Sequence, residues 1–153
     1  MTALTMEKVS DTNFSIFINL IEQLAEYEKL PPPDAGAKER LAADALGEHP
    51  KYEAYLGKTG DTAIGYVTFY FTYSTFLARP TMYLEDIFVC EEYRGQGLGR
   101  QMLEFCRNVA RDRECGRMEW MVLDWNLPAI RFYEKTGARR LAWYVYRLDH
   151  DLL

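Results

Sequence analysis

Histidine and cysteine are scarce in this sequence, basic residues are outnumbered, and no long apolar run occurs. The two histidines, His49 and His150, stand far from any Cys or His pattern. Ordinary metal-ligand spacing is therefore missing, and both read as surface residues. Cys90, Cys106 and Cys115 form an odd set without CxxC spacing, which excludes a disulfide-stapled secreted framework. Cys90 has no base constellation around it and reads as a structural thiol. No stretch approaches the ~20 apolar residues that a membrane span requires. Met1 to Ser10 lacks the apolar core of a signal peptide. Lys plus Arg number 18 against 23 Asp plus Glu, a formal charge of −5, so the basic footprint that nucleic acid needs is absent. An acidic balance suits a cationic partner such as an amine, and it equally suits solubility alone. These exclusions point to a reduced, cytoplasmic protein without metal, nucleic-acid or membrane partners.

What is present fits one domain over 1–153. The chain has 153 residues, 48% of them hydrophobic, enough for an ordinary single core. Residues 3–9 read as a first strand. Asp11, Thr12 and Asn13 offer N-cap chemistry, and Phe14, Phe17, Ile18, Ile21, Leu24 and Ala25 then recur at helical spacing over 13–29. Pro31, Pro32 and Pro33 stop that helix. A second helix spans 36–47. Strands follow at 52–56 and 63–73, joined by a glycine turn, then a loop over 74–80 and a strand at 82–90. Simple alternation there puts Tyr83, Glu85, Ile87 and Val89 on one face and Leu84, Asp86 and Phe88 on the other. A helix at 98–114, a strand at 117–124, a helix at 127–136 and a last strand at 140–148 complete the order. Strands 82–90 and 117–124 flank a helix and should run parallel. The expected fold is α/β in three layers, a mixed sheet with helices on both faces.

Arg94-Gly95-Gln96-Gly97-Leu98-Gly99 follows a strand and opens a helix. Glycines let backbone N–H groups approach an anion, and the helix terminus adds unpaired donors and a favourable dipole. The spacing is neither the dinucleotide fingerprint nor a Walker loop. Taken alone, the turn serves either a phosphate or tight helix–strand packing.

This segment, after Tyr83-Leu84-Glu85-Asp86-Ile87-Phe88-Val89, resembles the pyrophosphate-binding signature of the GNAT acetyltransferases. Asn126-Leu127-Pro128-Ala129-Ile130-Arg131-Phe132-Tyr133-Glu134-Lys135-Thr136-Gly137 resembles the closing motif of the same superfamily. Tyr70-Phe71-Thr72-Tyr73, Leu24-Ala25-Glu26-Tyr27-Glu28, Gly47-Glu48-His49-Pro50 and Leu123-Asp124-Trp125-Asn126 are similar to the spermidine/spermine acetyltransferases and their thialysine-acetylating relatives. The resemblance implies a GNAT fold in which strands 82–90 and 117–124 splay, and an acetyl-CoA-dependent transfer to a primary amine by direct attack. It implies that Ile87 and Val89 pair with the pantetheine arm and that an N–H of Ile87 or Phe88 serves the oxyanion. Arg94, Gly95, Gln96, Gly97, Leu98 and Gly99 would hold the pyrophosphate, with Asn126 and Ala129 also at the cofactor.

Tyr133 matches the general acid of the family. A tyrosine of ordinary pKa, ~10, is protonated at neutral pH and can donate to a thiolate. Asn126, Ala129, Ile130 and Tyr133 share a helical face. The plainer reading makes Phe132 and Tyr133 a core aromatic pair. Glu85 matches the general base; the plainer reading is a solvated strand edge. Glu28 ends a core-facing stripe, where a carboxylate requires a partner or water. The resemblance supplies a cationic amine, with Tyr27 beside it; simple helix-end exposure serves as well. Asp124 could hold an ammonium or cap the turn.

Two acidic features of the polyamine enzymes are missing. Ser74 stands where they carry Asp, and the connection 137–141 is short and not acidic. These losses weaken the case for a long polycation, so within the range of diamine, polyamine and lysine-like amino acid the expected acceptor is a small primary amine, a diamine or a lysine-like amino acid. Acetylation of a protein amine or an antibiotic, and a non-catalytic acetyl-CoA sensor, are the competing readings. The family resemblance also implies a homodimer.

Overall fold

In the computed structural model residues 3–153 are described. Met1 and Thr2, which open the stretch read as lacking a signal-peptide core, lie outside them. The described chain falls into two compact units, one through Met121 and one from Val122 to Leu153.

The first unit is built on one mixed sheet of five strands in the order β1-β2-β3-β4-β5. These are β1 (Thr5–Lys8), β2 (Glu53–Thr59), β3 (Thr62–Ser74), β4 (Arg79–Val89) and β5 (Arg117–Glu119). The first four pair antiparallel, and β5 runs parallel to β4. Helix α1 (Phe14–Glu28) and α2 (Ala35–Leu46) precede β2, and α3 (Leu98–Asp112) links β4 to β5. Local chemistry sets the helix ends. Asp34 caps α2 by accepting the Ala37 N–H at 2.8 Å. Lys29 ends α1 in the left-handed region at φ 58°, just before the three prolines.

Each sheet face takes one helical stripe. Phe17 and Leu20 of α1 are buried with Ala54, Leu56, Tyr66, Phe88 and Cys90, and the Phe17 and Tyr66 rings meet edge to face at 5.4 Å. On the opposite face α3 buries Met102, Leu103, Cys106 and Ala110. There Tyr55 meets Phe105 at 4.9 Å. Burial of each large apolar side chain contributes roughly 1.5–3 kcal/mol before entropy is counted.

The long β3–β4 hairpin differs from the loop expected over 74–80. Pairing runs out to Ser74↔Arg79, so only 75–78 remain as the tip. The parallel pairing is shorter than the expected 117–124. It covers Thr81↔Arg117, Met82↔Met118 and Tyr83↔Glu119. Farther on the chain turns at Leu123, whose carbonyl accepts the Asn126 N–H at 2.9 Å.

The second unit carries α4 (Leu127–Lys135) and a short 3-10 turn at His150–Leu152. The strand expected at 140–148 does not form. Trp143, Tyr144, Val145 and Tyr146 are between 70% and 93% exposed. A strand is held by ladder bonds to a neighbour, and among the described residues this unit has no other strand to provide them.

Candidate active site

The centre of the first unit's site is an irregularity in β4. Thr68 pairs with Asp86, but the next residue of β3, Phe69, pairs with Leu84. Glu85 is therefore extra, the bulged residue of a β-bulge. A bulge turns two successive side chains towards one side and changes the parity of the strand beyond it. Glu85 and Asp86 consequently share a face, against the opposite faces that alternation gives. Their partners agree: the Thr68 hydroxyl donates to Asp86 Oδ2 at 3.0 Å, and Glu85 acts on the Tyr70 hydroxyl by charge and hydrogen bonding. Thr68 and Tyr70 lie two apart on β3, on the α1 side. Leu84, grouped with Asp86 by alternation, goes with Phe69 to the α3 side, and Ile87 and Val89 leave the face of Glu85.

Glu28 comes to the same place from the last turn of α1. Burial raises its carboxyl above the ordinary range, and the Glu85 charge adds to the shift. Burial pushes Asp86 up from 3.8 to about 6; the Thr68 hydrogen bond and, more weakly, the nearby Tyr66 hydroxyl oppose that rise, and the Glu85 and Glu28 charges add to it. The Tyr66 phenol, wholly buried, is raised well above its usual value by burial and then by Asp86. Its hydroxyl lies beside Asp86 without completing a hydrogen bond to any acceptor among the described residues. Three carboxylates and the hydroxyls of Tyr66, Thr68 and Tyr70 thus form one acidic, partly desolvated cluster, suited to a cation.

The glycine turn has the geometry an anion requires. Gly95 and Gly97 adopt φ of 76° and 79°, and nothing lies within 4 Å of a Cβ built on either. The first backbone bond of α3 is Gln101 N–H to the Gly97 carbonyl at 3.2 Å. The N–H groups of Leu98, Gly99 and Arg100 stand ahead of it, open to an acceptor such as a pyrophosphate. The Arg94 side chain is engaged within the protein. Its Nε donates to the Val89 carbonyl at 2.8 Å, and its guanidinium lies 4.7 Å from the Tyr27 ring centroid and 5.6 Å from that of Phe88. Gln96 donates to the Glu92 carbonyl at 3.3 Å. Ile87, Phe88 and Val89 lie on the part of β4 beyond its pairing with β5.

In the second unit, Asn126 caps α4 by accepting the Ala129 N–H at 3.4 Å. Asn126, Ala129, Ile130 and Tyr133 are each half-buried, as their shared helical face predicts. Tyr133 packs on Phe132 with ring centroids 5.3 Å apart. Asp124 is exposed. Cys90 is buried, and its thiol is raised by that burial, which fits a structural thiol.

Sequence reasoning missed Asp86, Tyr66 and Thr68. Their signal was a carboxylate facing a hydroxyl across two strands, legible only once the bulge fixes the register.

The fold resembles that of a solved aminoglycoside N-acetyltransferase in complex with CoA. It matches with a TM-score of 0.80 at 15% identity, over 98% of this chain and 97% of that one. The family model described as Acetyltransferase (GNAT) family matches residues 19–138. The chain belongs to this family and is an acetyl-CoA-dependent N-acetyltransferase that acts on amines. It is 33% identical to the thialysine N-epsilon-acetyltransferase of Sus scrofa, over 100% of this chain and 96% of that protein. It is 41% identical to the L-ornithine N5-acetyltransferase of Arabidopsis thaliana, over 69% of this chain and 48% of that protein.

Proposed function

We propose that the acceptor is the primary amine of a small cation, a diamine, a polyamine or a lysine-like amino acid, and that Glu85 is the base and Tyr133 the acid. The observation that supports this best is the convergence of Glu28, Glu85 and Asp86 on one sheet face. Relatives named for thialysine and ornithine act on amines of the lysine-like kind.

In this reading the protonated amine enters against Glu28 and Tyr27, and Asp124 holds a second ammonium. Glu85, directly or through water, takes a proton from the amine. The freed nitrogen attacks the thioester carbonyl, whose developing charge meets an N–H of Ile87 or Phe88. As the carbon–sulfur bond breaks, the Tyr133 hydroxyl protonates the thiolate, and the second proton that the nitrogen loses in forming the amide restores Tyr133 through water. The N–H groups after Gly97 bind the pyrophosphate, with Gly95, Gln96, Leu98 and Gly99 shaping the turn. Ile87 and Val89 align the pantetheine, and Asn126 and Ala129 border it. Arg94 fixes the turn to Tyr27. The family model crosses from one unit to the other, so we take both as parts of one catalytic domain. It acts as a homodimer in the cytoplasm, where its three free cysteines stay reduced.

The test is CoA release with putrescine, spermidine, spermine, lysine, thialysine, ornithine and an N-terminal peptide. Turnover on a small amine, falling ~100-fold or more in Glu85→Gln and in Tyr133→Phe, supports the assignment. Turnover on the peptide alone would make the acceptor a protein. Acetyl-CoA binding without turnover on any amine would make the protein a sensor and remove the roles of Glu85 and Tyr133.

A further inference from the structure

The proposed mechanism uses Glu85 and leaves its neighbour without a role, although the bulge turns both to the same side. Asp86 is the inner of the two. It is tied to β3 by the Thr68 hydroxyl at 3.0 Å and sits beside the buried hydroxyl of Tyr66, which has no completed hydrogen bond. Glu85 is the outer one, exposed and coupled to the Tyr70 hydroxyl. Adjacent like charges on one face repel, and here only the outer one is free to respond by moving. We propose that Asp86 is a positioning residue for acetyl transfer: from the inner side of the bulge its carboxylate keeps the Glu85 carboxylate turned outward, against Tyr70, where the incoming amine meets it. This rests on Glu85 acting as the base.

The charge on Asp86 is thereby a condition for a well-placed base. The groups that act on it are Glu85 on its own strand, Thr68 and Tyr66 on β3, and Glu28 on α1; the Tyr52 phenol, just ahead of β2, also senses its charge. Asp86 ionises at about 6. The rate should therefore carry a step near that pH, superimposed on the rise from deprotonation of the amine. The Thr68 hydrogen bond favours the ionised form, so losing it moves the step to higher pH.

The experiment is the pH profile of kcat/KM from pH 5 to 9, with acetyl-CoA and the best small amine of the panel. It compares wild type, Asp86→Asn, Thr68→Val and Glu85→Gln, each checked by thermal melting. We expect Thr68→Val to move the step upward by ~1 unit. Asp86→Asn should abolish the step and lower kcat ~10-fold, with the acetyl-CoA KM unchanged. Profiles of Thr68→Val and Asp86→Asn that superimpose on wild type, while Glu85→Gln is slow, overturn the role of Asp86 alone. A Glu85→Gln variant as fast as wild type overturns the base assignment and this inference with it. Thr68→Val keeps the question open to test should Asp86→Asn fail to fold.

Discussion

Folding moves the Asp86 carboxyl from water onto the α1 face of the sheet, and its burial there raises it from 3.8 to about 6. Between those values the native chain holds a proton that the unfolded chain has released. Stability is therefore greatest below 3.8, falls as pH rises through this window, and has lost the whole contribution above about 6. Glu28 is shifted in the same direction. Asp86→Asn removes the titration and keeps an acceptor for the Thr68 hydroxyl. Urea unfolding at pH 8 should show the variant about 1–2 kcal/mol more stable than wild type, less than the full shift because Asp86 keeps some contact with water. At pH 4 the two should be nearly equal. A gap that does not change with pH would mean that the carboxylate is not desolvated. At this scale the sequence was informative where residue type alone decides. Glu28 ending a core-facing stripe and Tyr133 on the face of Asn126 and Ala129 were both readable. Asp86 was not, because its neighbours depend on register.

The elements were largely legible from periodicity. The helical stripe of Phe14, Phe17 and Ile21 and the stripe of Met102, Leu103 and Cys106 both became helices facing the sheet. What periodicity cannot show is a bulge, since an extra residue leaves composition unchanged and alters only which residues face each other. Pairing of β3 with β4 sets that register, and Gly65 is a fixed point in it. Gly65 pairs with Val89, and a Cβ on it would clash with the Phe88 carbonyl oxygen. That neighbour is backbone and cannot rotate away, so the strands would have to part. Gly65→Ala should cost about 2–3 kcal/mol in urea unfolding. It should also slow acetyl transfer on the best amine, because the hairpin carries the bulge. A variant with unchanged stability would show that the strands part here without penalty. The expected strand at 140–148 failed for the complementary reason. Its aromatic and β-branched residues state a preference for a strand, but a strand also needs a neighbour, and composition does not supply one.

At the scale of the whole molecule, one dense run of exposed large apolar residues lies near the C-terminus. Leu141, Trp143, Tyr144, Val145, Tyr146 and Leu148 are each at least 41% exposed. Trp143 and Val145 have one parity and Tyr144 and Tyr146 the other, so covering a single face of an extended segment would leave one of these apolar pairs in water. Pairing into a sheet covers both faces and satisfies the backbone as well. In the homodimer proposed above, a second copy of this chain would cover the segment. Sedimentation velocity at micromolar concentration should give twice the monomer mass of 17.9 kDa. The double substitution Trp143→Asp with Tyr146→Asp places a charge on each parity and should give a folded monomer. Far-UV circular dichroism would establish that α1, α2, α3 and α4 are retained. A wild type that sediments as a monomer, or a doubly substituted chain that stays dimeric, would mean that this segment does not form the subunit contact.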